Sequence, residues 1–217
     1  MPAPRVLTAG GTLLSLLLLA LSARLFAAPP VPPLQKFRDG LPGLFLKKGP
    51  EIPVSILYLG DSPSRAEEFR TCLNKCSPDC RFTFRRFGDS LPRADLVLVE
   101  FHFHTGAAAA PAPEQVRSLA GTLWQDDPET DILFLNLPDP GTIAAPFSAR
   151  SPAASQLDFF ADRAGIPTLS LPPSGGGEAL ASCVSAISER HQKGLFPNPD
   201  ETFVRRRALA RETAPNP

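Results

Sequence analysis

The sequence predicts an α/β protein whose mainly parallel β-sheet lies between two layers of helices. Four short, near-continuously apolar runs are typical of strands that are buried on both faces. Stretches with helical spacing of apolar residues separate these runs. Because strands and helices alternate along the chain, we expect parallel strands, right-handed crossovers and a three-layer α/β/α arrangement.

The predicted strands are short and rich in Val, Ile, Leu and Phe. The first, VSILYL at residues 54–59, ends at Gly60, so the chain is expected to turn sharply where this strand ends. The other predicted strands cover residues 82–87 (FTFRRF, in which apolar residues alternate), 95–101 (DLVLVEF), 131–137 (DILFLNL) and 166–171 (IPTLSL).

Helices are predicted between these strands. Residues 64–74 begin with Ser64 and place Glu67 three residues later, which is a capping-box pattern at a helix N-terminus. After Phe203 a terminal helix is expected to reach about Arg211, with the Arg205–Arg207 run on its solvated face. The remaining helices, predicted from apolar residues at helical spacing, cover residues 112–126, 151–164 and 179–190.

The N-terminal segment predicts targeting to the secretory pathway. Arg5 precedes the apolar run VLTAGGTLLSLLLLALSA at residues 6–23, which fits either a cleaved signal peptide or an uncleaved type II anchor. The protein is then secreted or held in the Golgi or ER membrane, and it meets a membrane only through this segment, if the segment stays uncleaved. The expected organisation is a signal peptide or anchor at 1–28, a Pro-rich linker at 29–51 with one short packed piece around Leu44–Leu46, an α/β domain at 52–211 and a disordered tail at 212–217.

Composition and charge narrow the expected partners and cofactors. Lys and Arg total 22, as do Asp and Glu, so no overall field favours nucleic acid. The sequence has no Walker A motif, no complete dinucleotide-binding glycine pattern and no HExxH motif, so neither a cofactor nor a metal is expected. Cys72, Cys76, Cys80 and Cys183 predict disulfides in an oxidising compartment, with the pairing open, because their spacing is not a usual zinc pattern.

Chemistry is expected at the turn Gly60-Asp61-Ser62. Parallel sheets bind ligands at the carboxyl ends of their strands, where this turn should meet residues 101–105 and 137–141. A Ser hydroxyl beside a helix N-terminus can attack an acyl carbon while backbone N–H groups hold the oxyanion. The alternative is a plain helix cap, because Asp and Ser both cap helices well.

Five segments, in order along the chain, carry a family resemblance: ILYLGDSPSR (56–65), ADLVLVEF (94–101), DILFLNLP (131–138), AGIPTLSL (164–171) and GLFPNPDETFVRRRALA (194–210). Together they resemble the SGNH hydrolases, also called GDSL-type esterases. The resemblance implies a flavodoxin-like central sheet and ester hydrolysis, with Ser62 as nucleophile and its backbone N–H in the oxyanion hole. It also implies an acylated glycan or lipid as the ligand.

The chain departs from that family at three of its motifs. The third block implies an Asn near His104, where this chain has His followed by Thr105, and only Gly88 is available as the second-block Gly. The last block implies Asp-x-x-His, but Lys193 and Phe196 stand at those two positions. Because neither side chain can act as a general base or orient one, the sequence favours a degenerate esterase, that is, a pseudoenzyme.

Two alternatives stay open. In the first, Ser62 is active through a non-standard His, with His104 as base or oxyanion donor and His191 as the second choice. In the second, the chain is a non-catalytic lumenal interaction domain in which the turn only caps a helix. The rest of the expected ligand edge consists of Gly60, Asp61, Gly88, His102 and Asp139.

Overall fold

The β-sheet has the strand order that the family resemblance implies. The structure, a computed structural model, describes residues 39–47, 54–76, 80–102, 112–137, 152–172 and 175–213. Within these ranges one all-parallel sheet has the order β2-β1-β3-β4-β5, which is the flavodoxin-like order. The predicted fold class is therefore confirmed. The strands are β1 (Ser55–Leu59), β2 (Arg81–Arg85), β3 (Leu96–His102), β4 (Asp131–Leu137) and β5 (Thr168–Ser170).

Helices cover both faces of this sheet. One face carries α2 and α5, and the other carries α3, α4 and α6. All described residues belong to one compact unit that spans residues 34–217. Among them, no helix is long and apolar enough to cross a bilayer. The helices are α1 (Pro42–Lys47), α2 (Pro63–Cys76), α3 (Pro113–Asp126), α4 (Pro152–Ala164), α5 (Gly176–Gln192) and α6 (Pro199–Thr213).

The central strands are mostly apolar because both of their faces are buried. Along β1, Ile56 and Tyr58 face α2 and α5, whereas Leu57 and Leu59 face α3 and α6. Side chains alternate in this way along every strand, since successive Cβ atoms point to opposite faces. A strand with helices on both sides is therefore apolar at nearly every position, which is the pattern that predicted it.

The connection from β2 to β3 differs from the other crossovers in having no helix. Residues 86–95 form turns, bends and irregular chain, whereas α2, α3 and α4 each join one pair of consecutive strands. Parallel strands are usually joined through a helix. Here Leu91 and Ala94 of the connection pack on the α3 side of the sheet instead. A non-helical segment therefore lies beside α3 over the first two strands.

Part of the predicted linker belongs to the folded unit, as the expected packed piece around Leu44–Leu46 suggested. Leu41 and Leu44 are buried, and the Leu44 N–H donates to Asp131 Oδ2 at 2.6 Å. Leu46, in contrast, is 55% exposed. The predicted signal or anchor at residues 1–28 lies outside the described residues.

The Arg205–Arg207 run is not the uniformly solvated face that the sequence predicted. Arg206 is 1% exposed and pairs with Asp131 Oδ1 at 2.8 Å. Its guanidinium also donates to the Thr130 carbonyl at 3.2 Å and lies over the Trp124 ring. Only Arg207 is fully on the surface, because Arg205 forms an ion pair with the buried carboxylate of Asp39 at 2.9 Å. This run therefore fastens α6 to the sheet.

Candidate functional site

The predicted nucleophile turn opens a helix at the carboxyl end of β1, as expected. Gly60 and Asp61 form a bend, and α2 begins at Pro63. Ser62 Oγ accepts the Arg65 N–H at 3.3 Å and lies 3.0 Å from Ser64 Oγ. Ser followed by Pro at the first helical position is a favoured way to start a helix. Ser62 is thus the N-cap residue of α2.

A buried polar cluster lies directly beneath this turn. Glu100, on β3, is 4% exposed, and it accepts a hydrogen bond from the Tyr58 hydroxyl. Its other oxygen forms an ion pair with Arg65 Nη1 at 2.5 Å. Burial lowers the pKa of Arg65, an effect that neighbouring Glu68 opposes. The cluster ties β1, β3 and the first turn of α2 together at the point where they meet.

Glu100 was not among the residues that the sequence analysis selected. The signal was present, because Glu100 is the one charged side chain inside the apolar run LVLVEF. A carboxylate in a doubly buried strand needs a partner, and the partner here is an Arg from the adjacent helix. The family block ADLVLVEF contains Glu100 but implies no role for it, so the resemblance gives no sign of a buried charge at this position.

Glycine is required at position 60 because the side chains of Tyr58 and Glu100 occupy the space that a Cβ atom would need. A Cβ atom at this position would lie 2.5 Å from the Tyr58 hydroxyl and would also clash with the Glu100 carboxylate. Its backbone is not in the left-handed region, so the constraint is the space under the turn. Glycine at this position therefore lets the turn lie on the polar cluster.

The other predicted edge residues are only partly described. His102 ends β3 and so reaches the same edge as the turn, but its side chain, His104 and Asp139 lie outside the described residues. Asp61 is exposed in the bend, and exposed Gly88 has a φ of 96° in the β2–β3 connection. The structure thus brings the turn, Gly88 and the backbone of His102 to the carboxyl edge of the sheet.

Lys193 and Phe196 lie at the opposite edge. Helix α5 starts just after β5, and its 17 residues carry the chain roughly 25 Å back to the amino edge. Lys193 is exposed there and pairs with Glu189 at 2.5 Å, while Phe196 packs against His191. The segment that resembles the family's last block is therefore remote from Ser62, whichever residues it carries.

His191 also lies at the amino edge and has a structural role. Its Nε2 accepts the Leu41 N–H at 3.0 Å, and its ring stacks on Phe45 with centroids 4.9 Å apart. Burial lowers the pKa of His191 to about 4, so the ring is neutral at pH 7. The second-choice base of the sequence analysis therefore holds the segment before α1 against α5 and does not face Ser62.

The described cysteines are free thiols. Cys72 and Cys80 are half-buried and Cys183 is buried, while the side chain of Cys76 lies outside the described part of the chain. Burial raises the pKa of Cys183 to about 12. These three side chains do not form the disulfides that the sequence predicted. In the same described part, no group of three or more His, Cys, Asp or Glu side chains is placed to hold a metal ion.

Comparisons with known proteins add little to the fold. No family model matches the chain, and no curated protein sequence matches it. Among solved structures, oxidised flavodoxin 2 from Bacillus cereus is similar over 63% of this chain and 99% of its own, with 10% identity and a TM-score of 0.38. The strand order, and not this likeness, establishes the flavodoxin-like sheet.

Proposed function

We propose that this chain is a divergent SGNH-like domain that binds a ligand at the carboxyl edge of its sheet and does not hydrolyse it. The observation that carries the proposal is the capping role of Ser62, whose Oγ accepts the Arg65 N–H. The described partners of this hydroxyl are that N–H and the Ser64 hydroxyl. Neither is a base that takes a proton from an attacking serine, which nucleophilic catalysis requires.

The ligand class and the compartment in this proposal come from the sequence. The family resemblance favours an acylated glycan or lipid, and the apolar run at residues 6–23 favours the secretory pathway. The Gly60–Ser62 turn supports the carboxyl edge of the sheet as the place where the ligand binds, because this turn joins a strand to a helix as a nucleophile turn does. In this proposal the domain still binds its ligand although it has lost the ability to hydrolyse it.

A fluorophosphonate probe, which labels activated serines, tests the proposal on the full chain. We expect no labelling that depends on Ser62, as judged against a Ser62→Ala variant. Ser64→Ala serves as the matched control, because it removes the neighbouring hydroxyl and leaves the cap. Labelling of the wild-type chain and of Ser64→Ala that is lost in Ser62→Ala would overturn the proposal.

The second candidate is an active esterase that uses Ser62 with His104. It is favoured by the position of β3, which pairs directly with β1 and ends at His102. The last described residue of β3 therefore lies beside the turn, two positions before His104 in the sequence. Ser62-dependent labelling that is also lost in a His104→Ala variant would support this candidate over the first.

A further inference from the structure

A groove lies on the face of the sheet opposite to α2, where the β2–β3 connection replaces a helix. We call it the α3 groove, because it runs between α3 and residues 86–95. Its wider part, at the carboxyl edge, has a volume of about 550 Å³. Cavities of roughly 300–1,000 Å³ are the usual size for small-molecule sites. The groove exists because this irregular segment fills less space beside α3 than a crossover helix would.

The floor of the α3 groove is apolar. Leu59, at the end of β1, forms part of it together with Phe87 and Leu91 from the connection and Leu119 from α3. These last three side chains are only half-buried, although they pack against the core. The groove therefore exposes apolar surface to water, and a bound ligand would cover this surface.

The groove continues along α3 toward the amino edge. A second part of about 360 Å³ shares Leu91 and Thr122 with the first and extends to Asp126. Between Glu114 and Asp126 the helix rises by about 18 Å, at 1.5 Å per residue. The shape suits an elongated ligand.

The charge around the wider part is acidic. Asp89 and Glu114 line it, and none of its described lining residues is Lys or Arg. Arg93 lines the second part of the groove instead, where it pairs with Asp127 at 3.0 Å. Carboxylates with no cation between them disfavour an anionic head group and favour a cationic one.

We propose that the α3 groove binds an elongated amphiphile with an apolar body and a cationic head. This site lies on the other face of the sheet from Ser62 and uses none of the residues of the Gly60–Ser62 turn. It therefore goes beyond the function proposed above, and its test involves neither Ser62 nor a labelling reaction.

Fluorescence of the neutral probe N-phenyl-1-naphthylamine tests the site on the full chain. Ser118→Arg places a long side chain in the groove from an exposed helical position, where Arg is a good helix former. Gln125→Arg is the matched control, because Gln125 is exposed about two turns further along the same helix and does not line the groove. We expect the dissociation constant to rise about tenfold in Ser118→Arg and to change less than about twofold in Gln125→Arg.

Displacement of the probe by decyltrimethylammonium and by decanoate, which carry opposite charges on similar chains, tests the head-group preference. We expect the cation to displace it at about fivefold lower concentration, and Glu114→Gln to reduce that ratio to about twofold. Equal binding by Ser118→Arg and Gln125→Arg would overturn the site. Displacement by decanoate at equal or lower concentration would overturn the ligand class.

Discussion

At the scale of single residues, the sequence allows Ser62 to be either a helix cap or a nucleophile, and the structure shows it as a helix cap. Ser is favoured both as a helix cap and as a nucleophile at a strand end. The hydroxyl is placed to accept the Arg65 N–H, which satisfies one of the unpaired donors at the start of α2. Its contribution to stability can therefore be measured without a substrate.

Ser62→Ala removes this acceptor, so we expect the free energy of unfolding to fall by about 1 kcal/mol. Ser62→Asn keeps a capping side chain and should stay within about 0.5 kcal/mol of the wild type. Urea unfolding followed by circular dichroism measures both values. Equal losses in the two variants would contradict the capping role.

His191 makes stability depend on pH in a direction that its pKa fixes. The folded pKa of about 4 lies below the ordinary value of 6.5, so the unfolded chain binds the proton first as the pH falls. The stabilisation from neutral His191 is therefore complete above about pH 6.5, declines between pH 6.5 and 4, and is lost below that.

We expect the unfolding free energy of the wild type, relative to His191→Gln, to fall by about 2 to 3 kcal/mol between pH 7 and pH 4. Gln keeps an acceptor for the Leu41 N–H but does not titrate in this range. Urea unfolding at several pH values gives the difference. Parallel pH dependences in the two proteins would contradict the assignment.

At the scale of elements, α6 is held by a buried ion pair on β4. Arg206 donates to Asp131 Oδ1, whose other oxygen accepts the Leu44 N–H at 2.6 Å. One carboxylate thereby joins α6, β4 and α1. Removing one partner of a buried pair leaves the other charge without compensation, which costs more than the pair itself contributes.

Arg206→Met should lower the free energy of unfolding by about 3 to 5 kcal/mol, because Asp131 stays buried without its cation. The adjacent Arg207 is exposed, so Arg207→Met should change it by less than about 0.5 kcal/mol. Chemical denaturation of the two variants measures both effects. A similar small change in each would show that the Asp131 carboxylate is accommodated without Arg206.

The elements also show where motif resemblance misleads. The sequence predicted a helix over residues 179–190, and a helix after the last strand returns the chain to the amino edge of a parallel sheet. The family resemblance nevertheless gives Phe196 the position of the general base and Lys193 that of its orienting carboxylate, and both positions would have to lie near Ser62. The helix predicted from the spacing of apolar residues therefore locates Lys193 and Phe196 correctly. It is a better guide than the family resemblance, because this spacing reflects the physical repeat of the helix.

At the scale of the whole molecule, strand and helix positions were predictable because doubly buried strands must be apolar. The strand order was predicted only from the family resemblance, because it depends on which strands pair and these strands are far apart in sequence. The connection between β2 and β3 agrees with the sequence analysis, which predicts strands at 82–87 and 95–101 and no helix between them. The Glu100–Arg65 pair was not predicted, because it joins segments far apart in sequence, which local patterns do not encode.

The rate at which the Cys183 thiol is alkylated is expected to measure unfolding of the whole domain. Its thiol is buried among the side chains between the sheet and α5, and its pKa of about 12 leaves very little thiolate at neutral pH. We expect alkylation of Cys183 by iodoacetamide to require unfolding of the whole domain, with half-buried Cys72 and Cys80 reacting earlier. Mass spectrometry after timed labelling distinguishes the sites, and early labelling of Cys183 would contradict this expectation.

The helix-free crossover has a consequence for how the molecule opens. Within the described sheet, β2 is an edge strand that pairs with β1 alone, and it continues into residues 86–95, which contain no helix. Its two ends, Arg81 and Arg85, are exposed. We expect β2 and this connection to form a separate cooperative unit, with amide hydrogens that exchange before those of β3 and β4. Equal protection of β2 and β3 in hydrogen-exchange mass spectrometry would contradict this.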